Sequence, residues 1–118
     1  MATSMGLPNG PYPLTTDGVT AAVTVKSPGA YVLGEKNSSD GVFYITYAGR
    51  SDDDVANRLK QHVLEPEKQF HFAYYATPKE AHAKECWLYH TFNPPKNVIH
   101  PAKPKGSSLA CPQCGFAG

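Results

Sequence analysis

From Val42 to Ala48 polar and apolar residues alternate, and aromatic and β-branched side chains crowd the run, which is the period-2 pattern of a strand. Upstream, Val19, Thr20, Val23, Thr24 and Val25 predict a strand over 19–25; Pro28-Gly29 interrupts it before Ala30-Tyr31-Val32-Leu33 resumes an extended run. The polar, turn-rich segment 34–41 then makes the second run and Val42–Ala48 the arms of a hairpin. A three-residue loop, Ser38-Ser39-Asp40, pairs positions whose numbers sum to 78, which sets Tyr31 directly opposite Tyr47 with both phenols on one face. A slip of one residue would send one phenol to the other face.

Helical periodicity follows. Ser51 is an N-cap candidate ahead of Asp52, Asp53 and Asp54, acidic residues that suit the positive end of a helix dipole. The helix is expected to run to about Leu64, with Val55, Leu59 and Val63 as its buried stripe and Arg58 and His62, four apart, side by side next to it. Pro66 marks its end. Phe70–Ala76 reads as another strand. Thr77-Pro78-Lys79-Glu80 is a capping box with Pro at the first helical position, and the helix it opens should stop near Phe92, before Pro94 and Pro95. Ala81, Glu85, Leu88 and Phe92 share one face of this helix. Glu85 therefore sits among apolar neighbours, where an ionised carboxylate needs a cation or donors.

Composition narrows the classes. A chain of 118 residues supports one modest core and no second domain. The organisation expected is a flexible Gly- and Pro-rich segment over 1–18, one domain over 19–100, and a basic flexible tail over 101–118 carrying Lys103, Lys105 and a Cys-x-x-Cys pair. No apolar run has the length of a membrane span, and the start lacks a secretion-signal pattern, which points to the cytoplasm. Three cysteines, an odd number, fit a reducing compartment. The formal net charge of +1 does not mark a nucleic-acid binder, so that function would rest on a local site.

The local site is the set Gly29-Ala30-Tyr31, Tyr47-Ala48-Gly49, Arg58, His62, Glu85 and Asn97, whose order and spacing resemble the GIY-YIG nuclease superfamily over about residues 29–97. Ala30 and Ala48 stand where that family has the two isoleucines that name it, a change in packing more than in chemistry. The resemblance implies an α+β fold, a small three-stranded antiparallel sheet flanked by helices. It also implies a divalent-metal-dependent endonuclease that hydrolyses DNA phosphodiester bonds. Tyr31 and Tyr47 would position or activate water, Arg58 would bind the scissile phosphate, Glu85 would hold Mg2+ or Mn2+, and His62 would assist a tyrosine or phosphate. Asn97 would pin the helix end or touch the substrate backbone.

Those residue types suit the chemistry. Arg keeps its charge and forks onto phosphate, a single carboxylate suffices for a magnesium ion that keeps its waters, and metal coordination stabilises charge on the phosphate oxygens. Tyrosine is a weak base at its ordinary pKa of about 10, so one phenol must be perturbed by nearby cations or act through water. Arg50 and Lys60 read most simply as solvated charges, with phosphate contact as the alternative. His71, His82, His90 and His100 read as surface or packing residues, Asp52–Asp54 as helix-start residues and Cys86 as a small core residue. Cys111 and Cys114 have the gap of half a zinc site; Cys86, His90 or His100, or a second chain, could complete it, although a metal-free element is the plainer reading. The rival functions are a nucleic-acid-binding module that keeps the fold without cleavage, and a zinc-dependent interaction module.

Overall fold

The computed structural model of the protein describes residues 7, 9–65, 67–97 and 111–112. The elements in chain order are β1 (Asn9–Pro13), α1 (Thr16–Ala22), β2 (Gly29–Lys36), β3 (Phe43–Ser51), α2 (Val55–Lys60), β4 (Gln69–Tyr74) and α3 (Pro78–Phe92). The strands make a single antiparallel sheet in the order β1-β4-β2-β3. The class is α+β, as expected, but the sheet has four strands rather than three. The fourth comes from the segment expected to be flexible: Tyr12 lies opposite Phe70 and sets its ring 5.7 Å from that of Phe70. An edge strand tolerates Pro11 and Pro13 because only one side of its ladder is used.

The strand expected over 19–25 is instead helix α1 and the coil after it. Thr15 caps the helix, its side chain accepting from Gly18 N–H at 2.9 Å, and Asp17 occupies the first turn. Val19 and Val23 are both buried while Thr20 is exposed, so the β-branched run follows a period near four rather than two. Helix α2 is also shorter than expected. Asp54, not Ser51, is the N-cap; Ser51 Oγ accepts Asp54 N–H at 2.9 Å in the turn before it. Beyond Lys60 the backbone tightens, with His62 N–H bonded to Leu59 O at 3.0 Å, an i to i−3 contact. Leu64, the expected last helical residue, is 98% exposed.

Helix α3 matches its sequence signals. Thr77 caps it, Pro78 fills the first turn, and Asn93 ends it in the left-handed region at φ 47°. The chain then folds back along the open edge of β3, where Lys96 N–H bonds Thr46 O at 2.9 Å and the Asn97 amide exchanges two bonds with the Ala48 backbone.

The sheet buries both faces. One carries Tyr31, Leu33, Phe70 and Phe72 against Val19 and Val23 of the α1 region and Val55 and Leu59 of α2. The other carries Ala30, Val32, Ala48 and Ala73 against Leu88 of α3. The small side chains Ala30 and Ala48 thus lie on the α3 face, where they let the helix approach closely. No helix among the described residues is long and apolar enough to cross a membrane.

Candidate active site

Tyr31 and Tyr47 share a sheet face, but not as directly opposed residues. Tyr31 pairs with Gly49 and Leu33 with Tyr47, and an irregularity between Leu33 and Gly34 shifts the remaining pairs by one. The pairing sum near the tyrosines is therefore 80 instead of 78. A displacement of two preserves the face, and the ring centroids lie 6.4 Å apart. Gly49 permits this approach: a Cβ there would fall 2.6 Å from both Cζ and Oη of Tyr31. The phenol of β2 consequently crosses β3 at a residue with no side chain, at the edge of the sheet.

His62 closes the cluster. Its Nε2 is 2.8 Å from Tyr31 Oη, its Nδ1 is 2.8 Å from Glu65 Oε2, and its ring centroid is 5.3 Å from that of Tyr47. Burial works to raise the Glu65 carboxyl, yet hydrogen bonds from His62 and Lys96 outweigh it and hold Glu65 below its ordinary value. An ionised Glu65 requires a proton on His62 Nδ1. In the neutral imidazole Nε2 is then an acceptor, and Tyr31 Oη donates to it. Glu65 was no sequence candidate, though its place three residues after His62 on a helical turn was the available signal.

Burial pushes the Tyr31 phenol well above 10, with the neighbouring Tyr47 adding to the rise and the Arg58 charge opposing it. Tyr47 is raised for the same first reason. Of the two routes expected for a phenol, perturbation by nearby cations or action through water, the first is opposed by burial: desolvation outweighs Arg58 at both. Tyr31 is sealed from solvent, whereas Tyr47 is only partly buried. Arg58 itself is exposed, with Nη1 bonded to Gln61 Oε1 at 3.2 Å, and its charge acts on Tyr31, Tyr47 and Glu85 alike.

Glu85 approaches from the other sheet face. It is 8% exposed, and burial raises its carboxyl to about 7 despite the opposing Arg50 charge. Its cationic partner is Arg50, whose Nη1 lies 2.6 Å from Glu85 Oε1 and whose Nε lies 2.7 Å from Asp52 Oδ1. Arg50 is therefore neither a solvated charge nor a ready phosphate contact, and Asp52 does more than open a helix. Strand alternation carried the signal: Arg50 shares the Ala48 face, beneath α3. Lys60 is exposed at the end of α2, and Asn97 is a brace, its amide bonded at both ends to Ala48.

Among the described residues no group of three or more His, Cys, Asp or Glu side chains is arranged to hold a metal ion. Magnesium with a retained water shell asks for less, one or two carboxylates plus substrate phosphate, and Glu85 is a hard oxygen donor of that kind. His100, Cys114 and the lysines of the tail lie outside the described residues. No protein-family model, no curated protein and no solved structure matches the chain.

Proposed function

We propose that the chain is a GIY-YIG-like endonuclease that hydrolyses DNA phosphodiester bonds with a divalent cation, magnesium or manganese. The observation that carries this reading is the hydrogen-bonded chain from Glu65 through His62 to Tyr31, beside the ring of Tyr47, with the Arg58 and Glu85 charges acting on both phenols. A raised phenol cannot rest as phenolate at neutral pH, but it does not have to. As Tyr31 Oη takes a proton from the attacking water, its own proton moves to His62 Nε2, and the Glu65 carboxylate steadies the imidazolium that forms.

Tyr31 is sealed from solvent and Tyr47 only partly buried, so in this reading water approaches Tyr31 from the Tyr47 side. Tyr47 is thus the positioning phenol and Tyr31 the proton acceptor. Arg58 binds the scissile phosphate through its exposed fork. Glu85 is the protein anchor for the cation, which supplies positive charge to the phosphate and leaving oxygens when bound.

The Arg50–Glu85 pair favours a second reading, in which Glu85 is a structural ion partner and the domain binds nucleic acid without cutting. Incubation with supercoiled plasmid and branched DNA, with magnesium or with chelator, separates the two. We expect magnesium-dependent nicking by the parent, abolished in Glu85→Ala with DNA binding retained. Cutting by Glu85→Ala at the parental rate would remove the metal assignment, and binding by a parent that never cuts would establish the second reading.

A further inference from the structure

The irregularity in β3 beside the tyrosines also shapes a cleft. Leu33 pairs with Tyr47 and Gly34 with Ile45, so Thr46 is the extra residue of a bulge, and its hydroxyl donates to Glu67 Oε2 at 2.8 Å. Next to it lies a cleft of about 310 Å3, lined by Glu35, Asn37, Tyr44, Thr46, Glu67 and Lys68. That volume is at the lower end of the roughly 300–1,000 Å3 of small-molecule sites and suits a single small ring system.

Tyr44 is the aromatic wall of the cleft. It is 52% exposed, and its hydroxyl donates to Asp40 Oδ2, which holds the ring in place without covering it. Glu35 lies directly opposite Tyr44 on β2 and flanks it on the same side of the sheet. The Glu67 side chain is only 5% exposed. Thr46 and Lys96 each donate to one of its oxygens, at 2.8 and 3.0 Å, and each oxygen can accept a second bond. Burial works to raise this carboxyl, but those two hydrogen bonds hold it below its ordinary value, so it is an acceptor at neutral pH.

The charges decide what fits. Two carboxylates outnumber the Lys68 ammonium and disfavour a phosphate, while the neighbouring Lys96 is committed to Glu65 and Glu67. A carboxylate beside an aromatic face suits instead a neutral flat ring with N–H donors on its edge, as when Glu or Asp accepts from the amino group of cytosine. We propose that this cleft takes an unpaired nucleobase bearing an exocyclic amino group, stacked on Tyr44 with its amino edge on Glu67. Under the endonuclease reading, on which this rests, the substrate is DNA with an unstacked base beside the scissile phosphate, as at a bulge or branch, rather than plain duplex. Thr46 and Tyr47 are adjacent in β3, a Cα step of about 3.8 Å, so base and phosphate fit neighbouring positions of one strand.

Anisotropy of labelled duplexes in chelator, where nothing is cut, tests the cleft with a one-base bulge of cytosine, of thymine or of an abasic site, and with fully paired DNA. The parent should bind the cytosine bulge about 10- to 100-fold more tightly than paired DNA, and the abasic bulge no better than paired. Tyr44→Ala should bring the cytosine bulge down to the paired level with duplex affinity and thermal stability nearly unchanged, and Tyr44→Trp should keep the preference. Glu67→Gln should narrow the preference for cytosine over thymine. A bulged 5-iodocytosine irradiated in the complex should cross-link to Tyr44. Equal parental binding of cytosine and abasic bulges, or equal affinities in the parent and Tyr44→Ala, would overturn the base site even where the parent nicks plasmid. A Tyr44-dependent preference in a parent that never nicks would uphold the base site and remove the endonuclease reading. Free cytidine that competes at the concentration of the bulged DNA would assign the cleft to a soluble nucleoside and overturn the DNA substrate.

Discussion

Glu65 determines which nitrogen of His62 carries the proton, and through it the direction in which the Tyr31 hydrogen points. The carboxylate is fixed twice, by His62 Nδ1 at 2.8 Å and by Lys96 Nζ at 3.1 Å, while Lys96 also holds Glu67 at 3.0 Å. Glu65→Gln preserves an acceptor for Nδ1–H but removes the charge that steadies an imidazolium, so the tautomer should survive and the cleavage rate should fall about 10- to 100-fold. Glu65→Leu should lose the tautomer preference as well. Nitrogen-15 chemical shifts of His62 read the tautomer without any need for cleavage, and a parental spectrum with the proton on Nε2 would reverse the hydrogen-bond chain. Tyr31→Phe breaks the same chain at its other end. It should cost at least about 100-fold in rate and more than Tyr47→Phe, with stability lowered by about 1 kcal/mol for a single lost hydrogen bond. Equal losses in the two variants would contradict the division of roles between the phenols.

At the level of elements, strand β3 gathers the site, and its decisive position is a glycine. A Cβ at Gly49 would stand 2.6 Å from the Tyr31 ring and 2.9 Å from that of Tyr47, so neither phenol can keep its place in Gly49→Ala. Overpacking of this kind costs about 1–3 kcal/mol. We expect a matching drop in thermal stability together with a loss of nicking larger than that of Tyr47→Phe; parental nicking would show that the phenols need not approach across β3. The face shared by Tyr31 and Tyr47 was legible in the sequence because period-2 alternation survives a register displaced by two residues, though the exact partners were not. Thr77-Pro78-Lys79-Glu80 was legible because every group in a capping box is local. Helix α1 was not: its β-branched residues carry strand propensity, and only burial by the sheet selects the Val19, Val23 spacing over alternation. The Arg50–Glu85 contact was hidden for a related reason, since it joins residues 35 apart that meet only once α3 lies on the sheet.

For the whole molecule, Glu85 couples stability to pH. Its carboxyl titrates near 7 in the fold against an ordinary 4.5, with burial as the largest cause, and Arg50, Asp52 and Arg58 as the charges acting on it. A raised folded pKa means that the folded state holds the extra proton between those values, so this contribution is full below about 4.5 and is lost as pH rises through about 7. Its size is on the order of 3 kcal/mol. Glu65 and Glu67 act in the opposite sense, their lowered carboxyls withdrawing stability as pH falls below the ordinary carboxylate range. His71, lowered by burial, also disfavours the fold as it is protonated. Subtracting the denaturation profile of Glu85→Gln from that of the parent removes these shared contributions. The difference should show the parent losing relative stability between the ordinary carboxyl value of 4.5 and the raised value of about 7, and levelling off above it. Magnesium should restore part of that loss on the alkaline side only, because the cation binds the ionised carboxylate and proton and metal compete for the same oxygens. A parent and Glu85→Gln with parallel profiles, with or without magnesium, would mean that the carboxylate is already satisfied by Arg50 and has no charge to offer a metal.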